Sequence, residues 1–208
     1  MILNKVINKY KTFYRYFLRK PYFKALRIMI SSDVTIISNN CTGSRISQDL
    51  HYRYNSPTVG LYIKYPEYII FLENLKEFMK CELVFKDKKS PYPIGYLCWN
   101  DLEITIYFLH YQTVEEAKKK WDRRKRRINW NKLLIIGTDT DNCSIEDVTR
   151  FLQLPYQCKI FFSNRDDKSV NNKNYIFVNE LAKKKVFNGY DYAHILYKYL
   201  IKQSIKFD

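Results

Sequence analysis

Residues 132–152, KLLIIGTDTDNCSIEDVTRFL, pass from a strand to a helix through one polar turn, and this layout decides the fold. Lys132 to Thr138 is a short apolar run that reads as a buried strand. Asp139 to Cys143 is the turn, and Ser144 to Leu152 is the helix beyond it. The same order of events occurs upstream. Val34 to Ser38 reads as a buried strand, Asn39, Asn40, Cys41, Thr42 and Gly43 as a polar turn, and a helical stretch begins at Ser44.

Working outward, Thr58 to Lys64 reads as a strand, and Pro66 opens a helix with Tyr68, Ile69, Leu72, Leu75 and Phe78 at helical spacing to about residue 80. Strands are expected at Glu82 to Phe85, Ile94 to Trp99 and Leu102 to Leu109. Thr113 with Glu116 three residues later is a capping-box signature for a helix running to about Arg127, which Trp121 and Trp130 would anchor. Strands at Lys159 to Phe162 and Tyr175 to Val178 and a helix at Tyr190 to Ile205 complete the chain. Strands alternating with helices predict a three-layer α/β domain over residues 31–208, with a mixed, mostly parallel sheet.

The 208 residues carry a formal charge of +15, unevenly placed. Residues 1–30 hold eight Lys or Arg and no acid, and residues 117–132 hold nine against Asp122 alone. These two segments account for the whole surplus, so a uniformly basic nucleic-acid surface is disfavoured and no specific nucleic acid is expected. Leu3, Val6, Ile7, Tyr10, Phe13, Tyr14, Phe17 and Leu18 recur at helical spacing opposite Lys5, Lys9, Lys11, Arg15 and Arg19. Residues 1–30 are therefore a basic amphipathic helical extension, suited to an anionic membrane surface or to packing on protein. No apolar run reaches spanning length, and basic residues interrupt every candidate signal core. The expected location is cytoplasmic, with the inner face of the membrane as the alternative. Five scattered cysteines and three scattered histidines form no metal motif, and neither a metal nor another cofactor is expected.

Ligands of open α/β sheets bind beyond the carboxyl ends of strands. Three such ends carry polar groups: Asn39 to Gly43, His110, and Thr138 to Asp141. If these strands are parallel neighbours, the ends share one crevice. Asn39, Asn40 and Gly43 could hold a sugar hydroxyl or an anion at a helix N-terminus. Cys41 is either a nucleophile whose thiolate the helix dipole favours or a small buried hydrophobe. His110 is a general base or a hydrogen-bonded edge residue, and Asp139 and Asp141 are hydroxyl ligands, bases or caps. Arg123 and Arg127, four apart, are the pair best placed to clamp a phosphate, unless the helix face is simply solvated.

Several separated stretches resemble the bacterial DUF1919 family, also described as an exopolysaccharide biosynthesis family. They are Ile36 to Gly43, Asn55 to Leu61, Tyr92 to Leu97, Phe108 to Tyr111, Glu116 to Trp130, Thr138 to Cys143 and Leu154 to Tyr156. The family pattern has a second glycine where this chain has Ser44. The resemblance implies an α/β fold and an association with capsule, exopolysaccharide or lipopolysaccharide synthesis, without an assigned reaction. Two functional expectations follow. One is an enzyme, a transferase in kind, acting on a glycan, nucleotide-sugar or lipid-linked sugar, with Asn39, Asn40 and Gly43 holding substrate, Arg123 and Arg127 on its phosphate, His110 as base and Asp139 orienting. The other is a non-catalytic binding or scaffold protein of the polysaccharide machinery.

Overall fold

The computed structural model describes residues 2–86, 89–140, 143–182 and 192–203. Helix α1 (Ile2–Arg19) gives way at Pro21 to a single 3-10 turn, Lys20–Tyr22, and α2 (Phe23–Met29) follows. Next come β1 (Thr35–Ser38), α3 (Thr42–Asp49), α4 (Glu67–Glu73), α5 (Leu75–Phe78), β2 (Val84–Phe85), β3 (Ile94–Trp99), β4 (Leu102–Tyr107) and α6 (Val114–Lys125). The chain continues through β5 (Leu133–Thr138), α7 (Ile145–Gln153), β6 (Cys158–Ser163), β7 (Tyr175–Phe177) and α8 (Ala193–Lys202). Asp141, proposed as a site residue, lies outside the described residues, as do the outer ends of the expected helix 190–205.

The central sheet has the order β1-β5-β6-β7 and is parallel throughout, which gives the expected mostly parallel α/β domain. Strand period puts alternate side chains on opposite faces. Ile36, Leu134, Ile136, Ile160, Phe162 and Ile176 share one core with α2, α3 and α8. Ile37, Ile135 and Phe161 face the other core, built with α4, α5, α6 and α7. The antiparallel strands expected to mix into this sheet form a separate one, β2-β3-β4. Its hairpin turns at Asn100, whose φ of 50° suits a residue tolerant of left-handed backbone, so β3 and β4 satisfy each other locally.

Three expectations change in detail. The strand at 58–64 shrinks to one bridge, Tyr62 with Tyr107, because Gly60 at φ 74° turns the chain. The helix opened by Pro66 divides at Asn74, whose side-chain amide donates to the Ile70 carbonyl at 3.0 Å and competes with the backbone. Trp121 is buried as expected, but Trp130 is 39 % exposed and lies beneath the Lys76 ammonium, so it anchors nothing in the sheet.

Glycine is required at position 137 by packing. A Cβ there would stand 2.5 Å from Phe161 Cδ2 and 3.0 Å from Phe151 Cε2. Gly137→Ala should therefore lower stability by about 1–3 kcal/mol, read as a drop in the urea midpoint. An unchanged midpoint would show that the two rings yield freely.

Candidate functional site

The ends of β1 and β5 are joined by side chains. Asn39, fully buried, donates through Nδ2 to the Thr138 carbonyl at 3.3 Å and to Thr140 Oγ1 at 3.1 Å, while its Oδ1 accepts from Thr138 Oγ1 at 3.0 Å. Asn40 Nδ2 donates to Thr138 Oγ1 at 2.7 Å. Asn40 Oδ1 accepts from both the amide and the hydroxyl of Thr42, so Asn40 holds the first residue of α3. The Gly43 amide donates to Ser38 Oγ, and a Cβ at Gly43 would be 2.8 Å from that oxygen and 2.9 Å from Ile36 Cγ2. Gly43 thus lets α3 pack closely onto β1. The three expected substrate-binding residues come together, and their polar groups are largely spent on one another.

Ser44 answers the missing second glycine. Its hydroxyl accepts from the Gly60 amide at 3.3 Å and ties α3 to the segment 54–62. That segment covers the free edge of β1, with Ser38 N–H donating to Thr58 Oγ1 and Ile63 N–H to the Asn39 carbonyl. His110 reaches the same place from the second sheet. Its amide donates to the Gly60 carbonyl at 3.3 Å, and the residue is exposed. The strand preceding His110 is antiparallel and in another sheet, so parallel neighbourhood is not what brings it here.

Asp139 turns toward β6 instead. Arg165 grips its carboxylate with Nε at 2.7 Å and Nη2 at 3.0 Å, and Ser163 Oγ donates at 2.7 Å. Such a two-pronged guanidinium clamp fixes both oxygens. No hydrogen bond joins Asp139 to His110 among the described residues, so the two are not a base and its orienting acid in this geometry. For Cys41, burial raises the thiol pKa and Arg45 only partly offsets it. Of the two alternatives for Cys41 the thiolate is thus disfavoured, because desolvation outweighs the Arg45 charge.

The cation that sequence spacing did not single out is Arg124. It is buried, with Ala117, Trp121 and Ile128 on the same inward stripe. Arg124 Nη1 donates to the Val59 carbonyl at 3.3 Å and to Tyr111 Oη, and its guanidinium lies 5.2 Å from the Tyr54 ring centroid. Burial raises the Tyr111 pKa with Arg124 opposing, so Tyr111 stays a neutral donor and gives its proton to the Val59 carbonyl. Around this anchor, desolvation and then Arg53, Arg123, Arg124 and Arg126 lower the Arg127 pKa. Among the described residues, no carboxylate forms an ion pair with Arg53, Arg123, Arg126 or Arg127. Glu116, which also feels Arg124, is committed to Lys120 and the Gln112 amide. The expected pair Arg123 and Arg127 is therefore the outer part of a larger arginine cluster. Among the described residues no group of three His, Cys, Asp or Glu side chains could hold a metal ion.

Fold and site together define an α/β domain whose first strand ends in an Asn-Thr clamp beside an arginine cluster. The chain belongs to the family described as Domain of unknown function (DUF1919), whose model matches residues 10–206. It is also 35 % identical over 150 residues to an uncharacterized protein of Haemophilus influenzae, covering 72 % of this chain and 71 % of that one.

Asn39→Ala should cost about 1–3 kcal/mol, since it strands the Thr138 hydroxyl and carbonyl without adding a partner. Chemical denaturation measures this, and a loss within error of zero would show the clamp to be dispensable. Alkylation of the folded protein by iodoacetamide should give Cys41 an apparent pKa above that of a free thiol. Mass-spectrometric rates that rise already below neutral pH would restore Cys41 as a nucleophile.

Proposed function

We propose that this protein binds a phosphorylated sugar, nucleotide-linked or lipid-linked, beside the end of β1, and acts on it during bacterial surface-polysaccharide assembly at the cytoplasmic face of the membrane. The observation that carries the reading is the arginine cluster. Five guanidiniums at one place, none with an ion-paired carboxylate among the described residues, repel one another, and a phosphate or diphosphate relieves that repulsion. Arg124 is already oriented by Val59, Tyr111 and Tyr54, so part of the ordering cost of binding is met before the ligand arrives. Tyr54 adds an aromatic surface, and Tyr62 with Thr140 adds hydroxyls, which suit a sugar ring. The choice of a glycan over other phosphorylated compounds rests on the resemblance to a family described with exopolysaccharide biosynthesis.

In the enzymatic form of this reading His110 is the acid–base residue, since it is exposed beside Gly60 while Asp139 and Cys41 are not disposed for that work. A second reading, a binding protein without chemistry, is favoured by the closed hydrogen bonding of Asn39, Asn40 and Asp139.

Titration calorimetry with a nucleotide-sugar separates these. Arg123→Ala with Arg127→Ala should weaken binding by about ten- to a hundredfold, as expected for losing two charge-assisted contacts. His110→Ala should keep binding and, if the protein is an enzyme, alter the glycan made in cells at normal protein level. Binding that ignores the arginines overturns the site, and a normal glycan in the His110→Ala strain selects the non-catalytic reading.

A further inference from the structure

The first helix is packed inside out. An amphipathic helix on a globular body normally turns its apolar stripe inward. Among the described side chains of α1 the buried one is Arg19, whose guanidinium meets the buried Asp49 carboxylate at 2.6 Å and 3.2 Å. The Tyr197 hydroxyl donates to the same carboxylate at 2.8 Å. This anchor holds the polar side of α1 against α3 and α8. The opposite side is left outward, with Ile7, Tyr10 at 69 % exposure, Phe13 at 61 %, Tyr14 at 54 % and Phe17 at 49 %. Their spacing of three, three, one and three places them on one face, and the Phe13 and Phe17 rings touch edge to face at 4.6 Å.

Charge says what covers this face. Residues 1–30 hold eight basic side chains and no acid, and Lys9, Lys11 and Lys20 beside the stripe are exposed. A second copy docked by the same face would set like charge against like, which disfavours a two-fold dimer. An anionic lipid leaflet is complementary to both parts: its headgroups attract the lysines, and tyrosine and phenylalanine rings suit the boundary below them. Alongside Phe13 and Tyr16 opens a cleft of about 510 Å³ between α1 and α3, in whose walls Lys9, Arg19 and Arg45 outnumber Asp49 as charged groups. Eighteen residues make a helix about 27 Å long. Among the described residues no helix is long and apolar enough to cross a membrane, so α1 can lie on a bilayer but not span it.

We propose that α1 is an interfacial docking helix, whose outward Tyr10–Phe13–Tyr14–Phe17 face enters the headgroup layer of an anionic phospholipid bilayer. This deepens the membrane setting given above for the sugar-phosphate reading, yet it uses none of the arginines of that site. The Arg19–Asp49 pair fixes how the body sits, because it sets the rotation of α1 relative to α3.

The test is co-sedimentation of the full-length protein with vesicles of phosphatidylcholine alone and of phosphatidylcholine with phosphatidylglycerol. The protein should pellet with the anionic vesicles and be released by salt. Tyr10→Ser, Phe13→Ser and Phe17→Ser together, which keep every charge and touch only exposed positions, should lower partitioning by about tenfold or more. Lys9→Glu with Lys11→Glu should abolish the preference for phosphatidylglycerol. Arg123→Ala with Arg127→Ala should pellet like the wild type, and the triple serine variant should still bind nucleotide-sugar, so either proposal can fail alone. Equal pelleting of wild type and triple variant overturns the inference. So does a dimer in sedimentation velocity that the triple variant dissolves while vesicles capture neither form.

Discussion

The side chain of Asn39 is the point on which the rest of the molecule hangs. Burying an amide with no partner is costly, and this one meets the demand by reaching the carbonyl and hydroxyl of Thr138 and the hydroxyl of Thr140. Its backbone carbonyl takes the Ile63 amide, which pins the covering segment 54–62 across the edge of β1. Val59 in that segment offers the carbonyl that orients Arg124, and Gly60 offers the one that seats His110. A single buried amide thus links the order of the sheet to the place of both candidate functional groups. Networks of this kind stand or fall together, because each member satisfies the next.

Much of this was readable in the chain. The runs 34–38 and 132–138 announced parallel strands because both of their faces are buried and neither can alternate with polar residues. Thr113 and Ser144 accept the amides of Glu116 and Asp147, as cap residues before helices should. Sheet membership was not readable, since the composition of 94–107 suits either sheet and only the Asn100 turn commits it to a local hairpin. The candidate site was partly legible. Position in the chain marked Asn39, Asn40, Gly43 and His110, but the direction in which Asp139 points depends on Arg165, which lies in a segment of plain polar character. Charge spacing pointed to Arg123 and Arg127 and passed over Arg124. The missed signal was an arginine occupying an apolar stripe between Trp121 and Ile128, where burial demands a specific partner.

The two ends of α3 serve different neighbours. At its start, Asn40, Ser38 and Ser44 bind it to β1 and to the segment that carries Val59 and Gly60. At its end, Asp49 binds α1 and α8 through Arg19 and Tyr197. One eight-residue helix therefore stands between the arginine cluster and the outward aromatic face. Membership in DUF1919 covers this whole arrangement, since the family match runs from residue 10 through to residue 206.

The sheet grows in one direction, from β1 through β5 and β6 to β7, yet Asn39 and Thr138 stand 99 residues apart along the chain. During synthesis β1 therefore leaves the ribosome long before any strand exists to pair with it. The intervening hairpin and α6 can assemble among themselves first, because their contacts are short in sequence. Until β5 emerges, Thr35 to Ser38 has unmet backbone groups along the edge that β5 later takes, open to pairing with another nascent chain. The Asn39–Thr138 contact that joins the ends of β1 and β5 is thus also a late event in folding.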